Sequence, residues 1–382
     1  MTEAVMRELF RETLLDVAEE IRNPQGGKKT CIGLTTLGTE VNPQDLIRGA
    51  ELAMAKDRHL QVILIGSQQD DRFPCYLADN EADVHGTLEE LLDTKTIDGV
   101  VTMHYPFPIG VSTVGKISTP ARGKSVYIAT STGSSDTNRV QAMIKNTVYG
   151  IIAAKTDGVS DPAVGILNIE GARQVERHLL QMQENGYDFT WGESQRGDKG
   201  HILRGNDLIA GSVDIVVTDT LTGNLLVKLF SAFTSGGNYE TIGYGYGPGI
   251  GENFNRLVCI LSRASGTPVT ANAIEYCASM ARNRWDKIRQ QEIQKAKKAG
   301  WLLPEAPAAA TRKKADITMP PEKVCDAQIA GIDILELDDA VRSLWENNIY
   351  ASSGMGCTGP VILVAGEDKD RSEDVLRAHG YL

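Results

Sequence analysis

No apolar run in this sequence approaches the ~20 residues of a membrane span. An integral membrane protein is therefore not expected. A cationic surplus is also missing: Lys and Arg total 39 against 50 Asp and Glu, a formal net charge of −11. Nucleic-acid binding relies on basic side chains that displace phosphate counterions, and anionic membranes attract the same charges. Neither nucleic acid nor membrane is an expected partner. Metal-type cysteine spacing is absent too. Cys31, Cys75, Cys259, Cys277, Cys325 and Cys357 form no CxxC pair and no Cys/His cluster with zinc spacing, so no metal is expected. The first 23 residues lack the basic start and continuous apolar core of a signal peptide. The expected compartment is the cytoplasm, with free thiols.

What is present is a chain of 382 residues with 38 glycines, long enough to bury a large core without staples and rich in tight loops. Residues 1–27 read as an amphipathic helix, with Met6, Leu9, Phe10, Leu14, Val17 and Ile21 at helical spacing. From Lys28 onward short β-branched runs alternate with helical patterns. The strands begin at Thr30, Gln61, Asp98, Ser125, Ala163 and Val213. Runs without polar alternation mark strands buried on both faces, as in parallel sheets covered by helices. Helices are expected over about 42–56, 137–155, 174–184 and 270–298. The class is α/β, wound as a parallel sheet over residues 28–302. Residues 303–322 hold four of the fourteen prolines and a short basic patch, and read as a linker. Residues 323–382 form a short α/β tail, with a helix at 337–347, a strand at 361–364 and a helix at 370–378.

Several segments have the composition of ligand loops. Gly110 to Ile117 nearly matches a phosphate-binding P-loop but lacks the final Ser/Thr that holds magnesium, and reads better as a chance spacing. Gly243, Gly245, Gly247, Gly249 and Gly251 alternate and so miss the GxGxxG dinucleotide spacing. They suit either close backbone approach to a ligand or a connection between two lobes. Ser131 to Asp136 follows a strand at its carboxyl end, where open α/β sheets bind ligands. Ser134, Ser135 and Asn138 are candidates for an anion there, next to a helix N-terminus; capping by Ser135 or Asp136 is the plainer role. Asp219, Gly223, Asn224 and Lys228 occupy the corresponding place after the strand at 213–218. Asn224 and Lys228 share a helix face at i, i+4, which suits a phosphate or a carbonyl oxygen, or simply a capped surface helix. Cys357 lies between Gly356 and Thr358-Gly359. Flanking glycine opens access to the sulfur, and nearby amide dipoles lower a thiol pKa and can hold a thioester oxyanion.

These segments together resemble a known family. Asp136-Thr-Asn138-Arg with Gly165-Ile-Leu-Asn168, and Asp219-Thr-Leu-Thr-Gly223-Asn224-Leu-Leu-Val-Lys228, are similar to the bacterial phosphate acyltransferases of phospholipid synthesis. The resemblance spans roughly residues 28–285. It implies the two-lobed fold shared with phosphotransacetylases and isocitrate-dehydrogenase-like proteins. Thr220 stands where that family has Gly, and Gly33-Leu-Thr-Thr-Leu-Gly38 replaces its opening Asp-Ala-Met-Gly-Gly-Asp. The tail with Gly354-Met-Gly-Cys357-Thr-Gly-Pro is extra. That combination resembles the alpha subunits of component C of the glycine, sarcosine and betaine reductase complexes.

The resemblance implies a two-carbon unit taken from a carboxymethylated selenocysteine. The unit is held as an acetyl thioester on Cys357 and released as acetyl phosphate by inorganic phosphate, with no cofactor. The implied partners are a beta subunit similar to ketoacyl synthases and the selenoprotein component A, and the implied assembly is a homo- or hetero-oligomer. Two alternatives stay open. One is direct formation of acyl phosphate from acyl carrier protein; the other is a non-catalytic subunit that binds phosphate and docks the selenoprotein.

Overall fold

The computed structural model describes residues 29–197, 199–303, 318–333, 336–356 and 359–382, with Arg11, Leu14 and Ala18. The expected N-terminal helix and most of the expected linker lie outside the described residues.

In chain order the body opens with β1 (Thr30–Thr35), α1 (Pro43–Lys56), β2 (Leu60–Gly66), β3 (Cys75–Leu77), α2 (Glu81–Asp93) and β4 (Gly99–Thr102). It continues with β5 (Val111–Ser118), β6 (Ser125–Ser134), α3 (Arg139–Thr156), β7 (Ala163–Leu167), α4 (Ala172–Glu184), β8 (Thr190–Trp191) and β9 (Ile202–Leu203). Then come α5 (Gly205–Ala210), β10 (Ile215–Val217), α6 (Thr220–Ala232), β11 (Gly247–Gly251), β12 (Val258–Ile260), α7 (Thr267–Arg282) and α8 (Trp285–Lys298). The strands form one sheet in the order β3-β2-β1-β4-β12-β11-β5-β6-β10-β7-β8, with β9 also on β7. Eight of its eleven pairings are parallel, so the class is mixed α/β with a large, mostly parallel sheet.

The three antiparallel pairings, β12-β11, β11-β5 and β5-β6, sit together in the middle. They reverse the strand direction between the two parallel halves. Gly247, Gly249 and Gly251 therefore lie in a buried strand at the junction of the halves rather than in a ligand loop, and Gly243 and Gly245 lie in the irregular segment before it. β11 gives Gly247 and Pro248 to β12, and Gly249, Ile250 and Gly251 to β5. Gly247 has φ +78° with the Val114 carbonyl where a Cβ would stand, and the Phe107 ring packs over Gly249. No other residue fits that backbone and that clearance. The segment resembling a P-loop is strand β5.

Helix α3 buries 14 of its 18 residues, Gln141, Asn146, Thr147 and Thr156 among them, and packs between the sheet, α4 and α8. The continuous helix expected over 270–298 is two helices. Asn283 ends α7, and Arg284 takes a left-handed φ of 55°, which no Gly or Pro announces.

The tail is a separate layer. β13 (Ala327–Ala330), α9 (Leu337–Glu346), β14 (Ala351–Gly356), β15 (Gly359–Val364) and α10 (Lys369–Ala378) form a three-stranded antiparallel sheet, ordered β13-β15-β14, under two helices. Its own core includes Ile329, Leu344, Ile362 and Leu376. Arg177 of α4 docks it, with Nη2 2.6 Å from Glu336 Oε2 and Nη1 3.5 Å from the Tyr381 carbonyl. Among the described residues no helix is long and apolar enough to cross a membrane.

Candidate functional site

Because the sheet reverses in its middle, the strands of its two halves end at opposite margins. β6, β7 and β10 finish at one, β1, β4 and β12 at the other. The candidates from the sequence divide between these margins.

At the first margin the turn after β6 and the start of α6 meet. Ser134 Oγ donates to the Asp136 carbonyl at 2.8 Å. Ser135 is buried; its hydroxyl lies 2.7 Å from Asn146 Oδ1 and 3.0 Å from Ala142 O, one proton between two acceptors. The cap of α3 is Asn138, not Ser135 or Asp136: its Oδ1 accepts from the Gln141 N–H at 3.0 Å. Ser135 cannot cap because its hydroxyl is spent inside the fold. Asp136 instead pairs with Lys145 at 2.7 Å. Burial acts to raise its carboxyl, but Lys145 and the Asn138 N–H outweigh that and hold it below the ordinary range.

Asp219 caps α6, accepting from Thr222 N at 3.0 Å and Thr222 Oγ1 at 2.8 Å, with Arg139 Nη2 at 3.1 Å. Burial opposes its ionisation, yet the Thr222 hydrogen bonds and the Arg139 charge together depress it. The N-termini of α3 and α6 are thus occupied by their own side chains, whereas α4, which follows β7, begins at Gly171 without a side-chain cap. Arg139, also paired with Glu170 at 2.7 Å, stays half exposed there.

Helix α6 carries the other candidates along the sheet. Gly223 packs directly on the Thr130 carbonyl of β6. Asn224 Nδ2 donates to Ser131 O at 3.1 Å. One turn on, Lys228 reaches the second margin. Its ammonium lies 2.9 Å from Glu240 Oε1 and 3.0 Å from Ser262 Oγ, just past β12. Glu240 is fully buried and is also held by Ser265 Oγ at 3.0 Å and Tyr246 Oη at 3.2 Å. An ammonium has three donors; these two partners leave Lys228 one N–H for a ligand, on a side chain 47% exposed. Asn224 and Lys228 share a helix face as expected but serve different margins.

The second margin also holds a cavity that sequence reasoning missed. It measures about 220 Å³ and is lined by Thr35, His85, Thr102, Met103, His104 and Arg263, among others. Thr35 ends β1 and Thr102 ends β4, their hydroxyls 3.1 Å apart. Arg263 follows Ser262; its carbonyl accepts from Glu40 N at 2.7 Å, and its guanidinium meets Glu81 at 3.0 Å. The His85 ring stacks on Tyr105 with centroids 5.0 Å apart, and its Nε2 is buried without a hydrogen-bond partner. A mostly apolar hollow with a few convergent polar groups at strand carboxyl ends is the usual form of a small-molecule site. The only signal in the sequence was position after a strand, and it was read for the loops after β6 and β10 but not for those after β1, β4 and β12.

Among the described residues no group of His, Cys, Asp and Glu could hold a metal. Cys259 and Cys277 are buried, and burial pushes the Cys277 thiol well above its ordinary value. That thiol stays protonated and inert. Cys31, Cys75 and Cys325 are half-buried. Cys357 lies outside the described residues. The strands on either side of it, β14 and β15, pair up to Gly356 opposite Gly359.

Residues 30–363 match the model of the family described as fatty acid synthesis protein, an acyltransferase-like class. A phosphate acyltransferase of Thermotoga neapolitana is 25% identical over 232 residues, covering 52% of this chain and 68% of that one. The glycine/sarcosine/betaine reductase complex component C subunit alpha of Peptoclostridium acidaminophilum is 45% identical over 381 residues, covering 99% of both chains. The chain belongs to this family of component C alpha subunits. Among solved structures, a branched-chain phosphotransacylase from Enterococcus faecalis V583 aligns with a TM-score of 0.45 at 15% identity, covering 66% of this chain and 99% of that one.

Proposed function

We propose that this chain performs the acyl-transfer step of a glycine, sarcosine or betaine reductase. In this reading Cys357 carries an acetyl thioester, and inorganic phosphate cleaves it to acetyl phosphate. A phosphate oxygen attacks the thioester carbonyl, the new C–O bond replaces the C–S bond, and the thiolate leaves and takes up a proton. The two-carbon unit arrives from a carboxymethylated selenocysteine of component A. Its C–Se bond breaks as a second thiol of the complex bonds to selenium, which leaves a selenosulfide and supplies the two electrons that turn CH2 into CH3. The carboxylate gives up one oxygen as hydroxide when the Cys357 sulfur forms the C–S bond. A beta subunit completes component C. A thiolate suits such a step because it is both a strong nucleophile and a good leaving group near neutral pH. No cofactor is required beyond phosphate itself.

The observation that carries the reading is the full-length similarity to a component C alpha subunit. The second margin supports it with donors held locally in an acidic chain: Lys228, paired with Glu240 but with one N–H to spare, beside Ser262, whose chain neighbour Arg263 lines the cavity. Phosphate is assigned there, where donors aimed at a developing oxyanion stabilise the transition state. Ser134, Ser135, Asn138 and Asp219 then act at the other margin as turn and cap residues, and Gly223 and Asn224 hold α6 on β6. Direct acyl phosphate synthesis from acyl carrier protein rests on the weaker, partial match to phosphate acyltransferases.

The test is acetyl phosphate formation by the reconstituted complex with Cys357→Ala and, in parallel, Cys325→Ala. Loss with the first and retention with the second is expected, with an acetyl adduct mapped to Cys357 in the native protein. Full activity of Cys357→Ala would sink the proposal. Robust acyl phosphate production by the isolated chain from acyl carrier protein would favour the alternative.

A further inference from the structure

Two antiparallel pairings separate β12 from β5, so both strands end at the second margin. The turn from β5 into β6 therefore lies on that side, and it borders a hollow that the acetyl-transfer reading leaves unused. The hollow measures about 480 Å³ and lies between this turn, the segment after β8 and the residues just before β10. Of the nine described residues that line it, four are cations: Arg122, Lys124, Arg196 and Lys199. Glu193 is the one acid among them. In a chain of net −11 this concentration of positive charge is local, and a concave wall focuses its field.

The fold holds these cations in place. Asp207 is buried and accepts from Ser194 Oγ at 2.9 Å, the Gln195 N–H at 2.8 Å and the Arg204 N–H at 2.8 Å. It thereby anchors the segment that carries Arg196 and Lys199. That segment also closes on itself, with the Ser194 N–H on Gly200 O at 2.9 Å and the Lys199 N–H on Arg196 O at 3.1 Å. The β5–β6 turn is closed by the Thr119 N–H on Lys124 O at 2.9 Å and the Gly123 N–H on Thr119 O at 2.8 Å. Lys124 reaches Asp214 Oδ1 at 2.9 Å and Val213 O at 3.3 Å. Arg122 meets no carboxylate among the described residues. Lys199 and Glu193 stand 3.9 Å apart, 74% and 63% exposed, a pair weak enough for a ligand to displace.

We propose that this hollow binds a small anion with two adjacent phosphoryl groups. The cations come in pairs from two elements, Arg122 with Lys124 and Arg196 with Lys199, so two charged groups are met at once. Guanidinium forks match phosphate oxygens two at a time. A single phosphate would fill little of the space. No aromatic or large apolar side chain lines the hollow, so a nucleobase has nothing to stack on and an acyl chain has no apolar wall. Free pyrophosphate and the diphosphate of a nucleotide present the same group, and the two are separated by experiment. The hollow shares no residue with the cavity of Thr35 and Thr102, so the inference does not depend on the acetyl-transfer reading.

Isothermal titration calorimetry of the full chain with pyrophosphate, in metal-free buffer at about 50 mM salt where screening is weak, tests it. Saturable binding is expected, with orthophosphate at least tenfold weaker and ADP no tighter than pyrophosphate. Arg122→Ala/Lys199→Ala should weaken pyrophosphate binding at least tenfold. Both side chains are at the surface, so the thermal midpoint without anion should not move. Lys287→Ala/Lys298→Ala removes the same charge from exposed positions of α8 and should bind as the native chain does. Lys228→Met should also bind pyrophosphate as the native chain does. Five outcomes would each overturn the proposal: no saturable binding, native affinity in the Arg122 and Lys199 double variant, orthophosphate as tight as pyrophosphate, ADP tenfold tighter, or binding lost through Lys228→Met instead.

Discussion

The Lys228 ammonium stands 2.9 Å from Glu240 Oε1, and that carboxylate has no exposed surface. A buried charge depends on its partners far more than an exposed one does. Lys228→Met therefore costs stability as well as phosphate binding. The lysine is itself half solvated, and Ser265 and Tyr246 still serve Glu240, so the loss is about 1–2 kcal/mol. Adding Glu240→Gln should recover part of it, because a neutral amide needs no counter-charge. Urea unfolding of the two single variants and the double variant measures the coupling; a simple sum of the single losses would exclude it. In turnover assays Lys228→Met should raise the KM for phosphate at least tenfold.

Gly223 should tolerate no side chain. A methyl group there overlaps the Thr130 carbonyl, a backbone atom that cannot rotate away, so Gly223→Ala should cost about 2–4 kcal/mol by forcing α6 off β6. Gly86, inside α2 with open space around its Cβ position, gives the opposite sign. Gly86→Ala should stabilise by about 0.5–1 kcal/mol. Thermal midpoints of the two variants should move in opposite directions.

Asp219 links stability to pH. Its carboxyl is depressed in the folded chain, so the native state favours the ionised form. The stability it contributes is complete above the ordinary carboxylate range near ~4 and is lost as pH falls through the lower folded value. Asp219→Asn keeps an acceptor for the Thr222 N–H but cannot titrate. The difference in unfolding free energy between native protein and variant should be largest at neutral pH and shrink toward pH ~3. A difference that is flat with pH would reject the linkage.

Arg177→Ala tests the docking of the tail. The Arg177–Glu336 pair is partly exposed, so its removal should cost less than about 1 kcal/mol. If the tail must be held against the body to deliver Cys357, acetyl phosphate formation should nevertheless fall by about tenfold. Arg177→Lys, which retains charge but not the two-pronged reach to Glu336 and the Tyr381 carbonyl, should restore activity only partly.

Much of the fold was legible. The β-branched runs at 61–66 and 98–103 became β2 and β4, and the helix expected at 137–155 became α3. Those segments declare themselves through local pattern. β5 and β11 did not, because their glycines answer to distant partners. Gly115 faces Val227 and Ser131, and Gly249 faces Phe107. Glycine in a strand is read as a turn unless the neighbour that demands it is known.

The site divides in the same way. The i, i+4 spacing of Asn224 and Lys228 was visible, but their separate destinations, Ser131 in β6 and Glu240 with Ser262 beyond the helix, were not. Ser135 looked like a cap or an anion ligand until Asn146, eleven residues on, took its hydroxyl. The cavity at the second margin gathers Thr35, His85, Thr102 and Arg263 from four separate stretches, and no local pattern joins them.

The short strand β11 has a bearing on how the molecule comes apart. It lends two residues to one half of the sheet and three to the other, so neither half closes its inner edge without it. Freeing one half strips the backbone hydrogen bonds of the strand that finishes the other. The body, despite its length, should therefore melt in a single transition, with its two halves losing amide protection together.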